Sequence, residues 1–418
     1  MEIVNGQVDV QSFLTVTLGI LVLFLGKALN RHVRLLREFT IPEPVSGGLL
    51  VALVIAALHL GFGLTINFGM RARDLLLVYF FTTVGIHASF SDLRRGGRTL
   101  IVLLVLTITL MLAQNLLGVT LARWSGMPPA VGLLVGTVSL IGGHGTTIAW
   151  APQFAANYGV ENAKEIGIAA ATFGLILASA SGGPIARYLI RRHRLVESGS
   201  GPITANRRAL DSSEGAASAD SPLGTRMGPE DVLSAVLAIN ICIIFGSILQ
   251  ELINDFGLFL PLFVPCLIVG ILLSNLLPNR IWRFQLHWPS SSPAIDLIAE
   301  ISLGAFLAMS LMTIQFWTLV DLAGPLALIL IAQLLLALAI NIVLVFPLLG
   351  RSYDAAVIAA GFGGFTLGST PTAMANMTAV TQRFGPSPKA FIVLPLVSAF
   401  FIDLLNAVLI PFFLHHLR

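Results

Sequence analysis

Hydrophobic positions come in long blocks along this chain, and the short polar loops between them are rich in Lys and Arg. A block of about 20 apolar residues crosses a bilayer as one helix, so the blocks read as transmembrane spans. Basic loops stay on the cytoplasmic side and orient the spans. Residues 12–28 carry Lys27 at their end and are followed by Arg31, Arg34 and Arg37, which puts the N-terminus outside and this loop inside. Residues 44–61 then return outward, 74–90 come inward to Arg94, Arg95 and Arg98, and 99–121 go out again. Arg71 and Arg73 lie on the side that the rule disfavours. Residues 160–190 end at Arg191, Arg192 and Arg194, so they must start outside. The stretch 130–158 therefore enters from outside and leaves to outside, as a re-entrant hairpin.

The second half repeats this pattern upside down. Residues 232–252 run outward, 260–277 inward to Arg280 and Arg283, 293–317 outward, and 326–349 inward to Arg351. A second hairpin, at about 354–385, enters and leaves on the inside near Arg383 and Lys389, and 390–414 run outward. The expected architecture is an all-α polytopic membrane protein of two inverted repeats, each with five transmembrane helices plus one re-entrant hairpin. The first repeat covers 1–195 and the second 231–418. Between them, 196–230 changes to Ser, Gly, Ala, Asp and Pro and reads as a disordered cytoplasmic linker. Both termini fall outside.

Each hairpin carries a break. In GFGGFTLGSTPTAMANMTAVTQRFG (361–385) apolar and small residues are interrupted at Leu367-Gly368-Ser369-Thr370-Pro371. Arms of about 14 residues reach roughly 21 Å at 1.5 Å per residue, short of a roughly 30 Å hydrocarbon core. GTVSLIGGHGTTIAWAPQFAANYG (136–159) repeats the pattern, with its break at Gly142-Gly143-His144-Gly145-Thr146. Irregular backbone at that depth survives only when buried in protein or lining a wet cavity. Paired broken helices in corresponding positions mark a transporter site between them.

Composition narrows the class further. With 56% hydrophobic and 11% charged residues, the 418-residue chain is not an ordinary soluble domain, which carries roughly 25% charge. A net charge of +3 sits in orienting loops and gives no nucleic-acid site. Cys242 and Cys266 both lie in apolar blocks and read as small hydrophobes rather than a disulfide framework or metal ligands. The first block has no basic start, so it reads as a span and not a cleaved signal.

The breaks supply the candidate chemistry. Ser369, Thr370, Pro371 and Thr372 read as a helix start capped by Thr370, and Gly145-Thr146 as the matching start in the other hairpin. Free N–H groups and the positive dipole end at mid-membrane suit a carboxylate. Carbonyls freed near Gly142, Gly143 and Gly368 are hard oxygen ligands for sodium. The alternative for these glycines is close helix packing. Asn376, on the face of Thr372, is a substrate contact or interhelical glue. His144, the only ionisable group at either tip, donates to a carboxylate, carries a proton, or satisfies backbone carbonyls. Asp403, deep in the last span with Asn406 three residues on, reads as a site for a cation or an amino group, with structural pairing as the alternative.

The runs TIPEPVSGGLL, SLIGGHGTTIAW, ASGGPIARYL, YDAAVIAAGFGGFTLGSTPTAMANM and RFGPSPKAFIVLPLVSAFFIDLLNAV together resemble the bacterial sodium/glutamate symporter family. The likeness covers nearly the whole chain except the linker, and departs from the family's usual pattern at Thr147, Ile148 and Phe362. It implies an inner-membrane homodimer that carries L-glutamate with sodium, using an elevator-like motion of a hairpin-bearing domain against a scaffold. The family's hairpin pattern carries over at His144, Gly145, Thr146, Thr370, Pro371, Thr372 and Asn376. A sodium/proton antiporter or a symporter of another carboxylate would use similar parts, whereas a channel or a receptor fits the hairpins less well.

Overall fold

A computed structural model describes residues 2–4, 7–39, 41–87, 97–195, 228–255, 260–276, 288, 292–315 and 322–417. The linker expected at 196–230 lies almost wholly outside them. In chain order the elements are β1 (Glu2–Val4), β2 (Gln7–Val10), α1 (Ser12–His32), α2 (Arg34–Glu38), α3 (Glu43–Phe62), β3 (Thr65–Phe68) and α4 (Arg71–His87). Next come α5 (Gly97–Trp124), α6 (Pro129–Leu133), α7 (Gly143–Tyr158) and α8 (Ala163–His193). The second half holds α9 (Pro229–Asp255), α10 (Phe263–Leu276), α11 (Pro293–Leu311) and α12 (Ala323–Ile340, prolonged through Leu348). It closes with α13 (Tyr353–Leu367), α14 (Thr370–Phe384), α15 (Pro388–Leu396) and α16 (Ile402–His416).

Seven described helices are long and apolar enough to cross a membrane: α1, α3, α5, α8, α9, α11 and α12. The other three expected spans fall short, each for its own reason. Helix α4 has 17 residues and a charged start, α10 has 14, and a π-turn at Val397–Phe401 separates α15 from α16.

The all-α expectation needs one correction, because the strands form a small sheet. β1 pairs antiparallel with β2, and β2 pairs parallel with β3 in the register Val8↔Ile66 and Val10↔Phe68. Gln-Val-Asp-Val and Thr-Ile-Asn-Phe alternate polar with apolar, the period of a strand. Asn67 Nδ2 donates to Asp9 Oδ1 at 3.1 Å across the pair. The sheet thus ties the chain ahead of α1 to the loop after α3.

The helices pack as two bundles. Helices α1, α3, α4, α9, α10 and α11 lie mainly against one another, and α5 to α8 with α12 to α16 form the other set. Small residues set the spacing inside the first bundle: a Cβ on Gly85 of α4 would stand 2.3 Å from the Leu267 carbonyl of α10. In lipid, where helices gain little by hiding apolar surface from one another, such close approach supplies the packing energy.

The bundles meet through an aromatic patch and two polar contacts. Trp150 of α7 meets Phe263 of α10 edge-on at 6.0 Å, and Phe263 in turn stacks on Phe81 of α4 at 4.4 Å within the first bundle. At the start of α8, Lys164 Nζ donates to the Thr313 hydroxyl at 2.9 Å and its carbonyl at 3.2 Å, with Glu165 Oε1 at 3.6 Å. Further along α8, Ser179 Oγ donates to the Phe39 carbonyl at 3.1 Å.

Candidate functional site

The first hairpin is built around a fault in its opening arm. Pro129 starts α6, where a missing N–H costs nothing and the fixed φ suits a helix. The arm then widens into a π-turn at Leu134–Val138, with Gly136 at φ −87°, ψ −124°. Asn115 of α5 repairs part of the damage: its Oδ1 accepts from the Thr137 N–H at 3.3 Å and the Thr137 hydroxyl at 2.8 Å. Interrupted helical turns of this kind recur at functional sites.

The returning arm α7 starts at Gly143, whose φ of +68° falls in the left-handed region that favours glycine. No side chain caps it. Because α7 begins at Gly143, Thr146 sits a full turn inside it and is not the helix start expected from the sequence. Its hydroxyl donates to Asp403 Oδ1 of α16 at 3.4 Å. Thr147 braces the break instead, donating to the Gly143 carbonyl at 2.8 Å and lying 3.0 Å from Ser139 Oγ. His144 Nε2 stands 3.0 Å from the Thr172 hydroxyl of α8, and that hydroxyl donates to the Ile168 carbonyl at 2.9 Å. With the threonine proton so used, the histidine donates through Nε2–H.

The second hairpin breaks more simply. Helix α13 ends at Leu367, Gly368 turns the chain at φ −141°, ψ −93°, and α14 starts at Thr370. The cap is Ser369 and not Thr370: Ser369 has extended backbone and its Oγ accepts from the Thr372 N–H at 3.4 Å. Either residue type can cap, and the backbone puts the non-helical φ/ψ one residue earlier than expected. The Thr372 hydroxyl, fully buried, lies 3.0 Å from Ser369 Oγ. At the far end the Tyr353 hydroxyl donates to the Gly385 carbonyl and holds the two arms together.

The two breaks lie side by side. A Cβ on Gly143 would stand 3.9 Å from the Gly368 carbonyl. Gly142, Gly143, Gly145, Ser369 and Thr370 are half-buried and Pro371 is exposed, while the arms behind them are mostly buried. Asp403 joins this group through Thr146, and Asn406 sits one turn further along α16. Asn406 is only 1% exposed, yet neither of its amide atoms has a partner among the described residues. Asn376 does not face the breaks with its amide: Nδ2 donates to the Ala178 carbonyl of α8 at 3.0 Å and the Ala360 carbonyl of α13 at 3.4 Å. It binds helices together. Among the described residues no cluster of three or more His, Cys, Asp or Glu gathers as a metal site.

Sequence reasoning passed over four amides and Thr172. Gln114, Asn115, Gln333 and Asn341 are each fully buried. Gln114 Nε2 donates to the Thr366 carbonyl at 3.3 Å, Gln333 Nε2 to the Gln114 carbonyl at 2.8 Å, and Asn341 Nδ2 to the Ala359 carbonyl at 2.6 Å. Polar amides inside otherwise apolar blocks were the visible signal, since lipid tolerates them only with partners.

Two interrupted hairpins whose breaks meet inside a helical membrane bundle, beside a carboxylate, define a solute carrier of the broken-helix kind. Comparison with known proteins narrows this. The chain belongs to the sodium/glutamate symporter family: the family model described as "Sodium/glutamate symporter" matches residues 8–386. The sodium/glutamate symporter of Escherichia coli (strain K12) is 42% identical over 401 residues, 96% of each chain. That of Haemophilus influenzae is 40% identical over 396 residues, 95% of each chain. Among solved structures, a sodium proton antiporter from Methanocaldococcus jannaschii aligns over 97% of this chain and 98% of its own, at 16% identity and a TM-score of 0.38. A likeness that faint carries no argument, and the antiporter reading is not favoured.

Proposed function

We propose that this protein is a secondary active transporter that imports L-glutamate with inward-moving sodium. The observation that supports it most is the meeting of the hairpin breaks beside Asp403. Helix α7 presents an uncapped N-terminal turn there, with a positive dipole end and N–H groups suited to a carboxylate. His144, Gly145, Thr146, Ser369, Thr370 and Thr372 would hold the substrate, and Asn376 would position the second arm that carries the hydroxyls. The half-helix end at Gly368, the turn at Gly142-Gly143, and the oxygens of Asp403 and Asn406 would hold sodium. Ion and substrate would then lie within one group of residues, so that each favours the other by charge.

The hairpin-bearing bundle, α5 to α8 with α12 to α16, would move as a unit against the other bundle in an elevator-like cycle. Two inverted repeats, 1–195 and 231–418, would give the two halves opposite orientations in an inner membrane, with a cytoplasmic linker, both termini outside and a homodimer as the working form. Uptake of labelled glutamate into proteoliposomes tests the function: sodium outside should drive it and potassium should not. Uptake that ignores sodium would overturn it. Cysteines placed at Ser213 and His416 test the topology, because the first should label only from the cytoplasm and the second only from outside.

A further inference from the structure

Two arginines of the hairpin bundle hold a backbone conformation that most residues avoid. Arg194, just past α8, has φ +52°, and Arg351, just past the extended α12, has φ +51°; among the described residues no other non-glycine residue has positive φ. At each place the chain folds back to close a helix. The Leu195 N–H donates to the Ile190 carbonyl at 3.1 Å, and the Arg351 N–H to the Phe346 carbonyl at 3.2 Å. Glycine is the usual residue where a helix ends in the left-handed region, because a Cβ there costs energy. Gly350, at φ +94°, meets that need after α12, and Arg351 adds a second left-handed residue. After α8, Arg194 stands in the glycine's place itself. A strained backbone kept under a long cationic side chain points to a use for the side chain.

The two helix ends are neighbours. The His193 ring lies 4.9 Å from the Phe346 ring, so the arginines flank one contact: Arg194 follows His193, and the Arg351 N–H bonds the Phe346 carbonyl. Arg187, Arg191 and Arg192, in the last turns of α8, are exposed as Arg194 and Arg351 are. None of the five is in an ion pair among the described residues. Asp354, three residues beyond Arg351, accepts from the Ser387 hydroxyl at 2.6 Å. In the other bundle, by contrast, Arg37 is spent on its own chain and donates to the Asn30 carbonyl at 3.3 Å. Orienting a span takes only the charge, and Arg191 and Arg192 supply that from ordinary helix. At 1.5 Å per residue, the 31 residues of α8 reach about 46 Å and the 26 of the extended α12 about 39 Å. Both overrun a roughly 30 Å hydrocarbon core, which leaves their ends among the headgroups.

We infer that the joined ends of α8 and α12 bind the phosphate of an anionic phospholipid, through Arg194 and Arg351 with Arg191 and Arg192 beside them. A guanidinium offers a planar fork of donors that matches phosphate oxygens, and cations at the bilayer surface draw in anionic lipid. The depth of the helix ends selects a headgroup over a soluble anion. Both helices belong to the hairpin bundle, so a lipid held there would travel with that bundle. The inference needs neither sodium nor glutamate as the cargo.

The test compares thermal midpoints of the purified full-length protein in nanodiscs of phosphatidylcholine alone and of phosphatidylcholine mixed with phosphatidylglycerol. The anionic lipid should raise the midpoint of the unmodified protein. Arg194→Gly with Arg351→Gly relieves the backbone while removing both guanidinium groups. That pair should melt no lower than the unmodified protein in phosphatidylcholine and lose most of the rise with phosphatidylglycerol. Arg383→Gln with Lys389→Gln removes the same charge from the ends of neighbouring helices and should keep the rise. If the glycine pair does not fold, Arg194→Asn with Arg351→Asn replaces it, since asparagine also accepts the left-handed region. An undiminished rise in the glycine or asparagine pair would overturn the inference, and so would an equal loss in the Arg383 and Lys389 pair, which would reduce the effect to net charge. Inorganic phosphate added to the phosphatidylcholine discs should shift nothing; a rise that the glycine pair abolishes would make the site one for a soluble anion and overturn the lipid.

Discussion

The two hairpins occupy matching places in their halves of the chain and do the same geometric job with different parts. The first is bent twice, at Gly136 and Gly143, and its returning arm α7 starts without a side-chain cap and lies against the other bundle through Trp150. The second has a single break, capped by its own Ser369, and its arms are held by α8. Leu367 packs so closely on α8 that a Cβ on Gly174 would stand 2.3 Å from its carbonyl. Both hairpins pack on α8, but only the first leaves the N-terminal turn of its returning arm uncapped and touches the other bundle. On the proposed reading, the first would do most of the anion-attracting work and the second would supply a firm floor.

The largest effect that would break this comparison is steric. Gly174→Ala forces a methyl against the Leu367 backbone, which cannot yield as a side chain would, and should destabilise the protein by about 3 kcal/mol. Gly183→Ala on the same helix meets nothing within 4 Å and should leave the thermal midpoint nearly unchanged. Equal midpoints for both would show that α8 does not anchor the second hairpin. Thr146→Ala should weaken glutamate binding by about 2 kcal/mol through loss of a charge-assisted hydrogen bond. If affinity is retained, the first hairpin is not the anion-binding one.

Asp403→Asn keeps shape and removes charge. The sodium needed for half-maximal uptake should rise about tenfold, as expected when a charged oxygen ligand is lost. Loss of glutamate affinity that extra sodium cannot restore would instead make the substrate's amino group the partner of Asp403. The smallest effect concerns the cap: Ser369→Ala should cost about 1 kcal/mol of stability, read as a lower thermal midpoint, while Ser369→Thr should restore it.

Much of this was legible because lipid imposes strict rules. Spans such as α5 and α8 follow from apolar length, and the hairpin breaks follow from Gly, Ser and Pro where no soluble loop could exist. The one-residue error at Ser369 was of another kind, since Ser and Thr cap equally well and only the backbone decides between neighbours. The sheet was hidden because β2 and β3 hold four residues each and pair across a whole helical hairpin of sequence. Gln114 and Gln333 were visible as polar residues among apolar ones, but 219 positions separate them, and nothing along the chain said they would touch. Asp403 stood out by its cost in lipid, and its partner Thr146 appeared only with the fold.

The bond between Lys164 and Thr313 has a consequence for speed. It joins the first turn of α8, in the hairpin bundle, to the chain just past α11 in the other. For a carrier whose bundles slide past one another, such a bond must open and close on every turnover, and it stabilises the resting position more than the position halfway across. It acts as a catch. Lys164→Met would release it, shortening the dwell time in this conformation and raising the rate of exchange between the two access states, with little change in how tightly either ion or substrate is held.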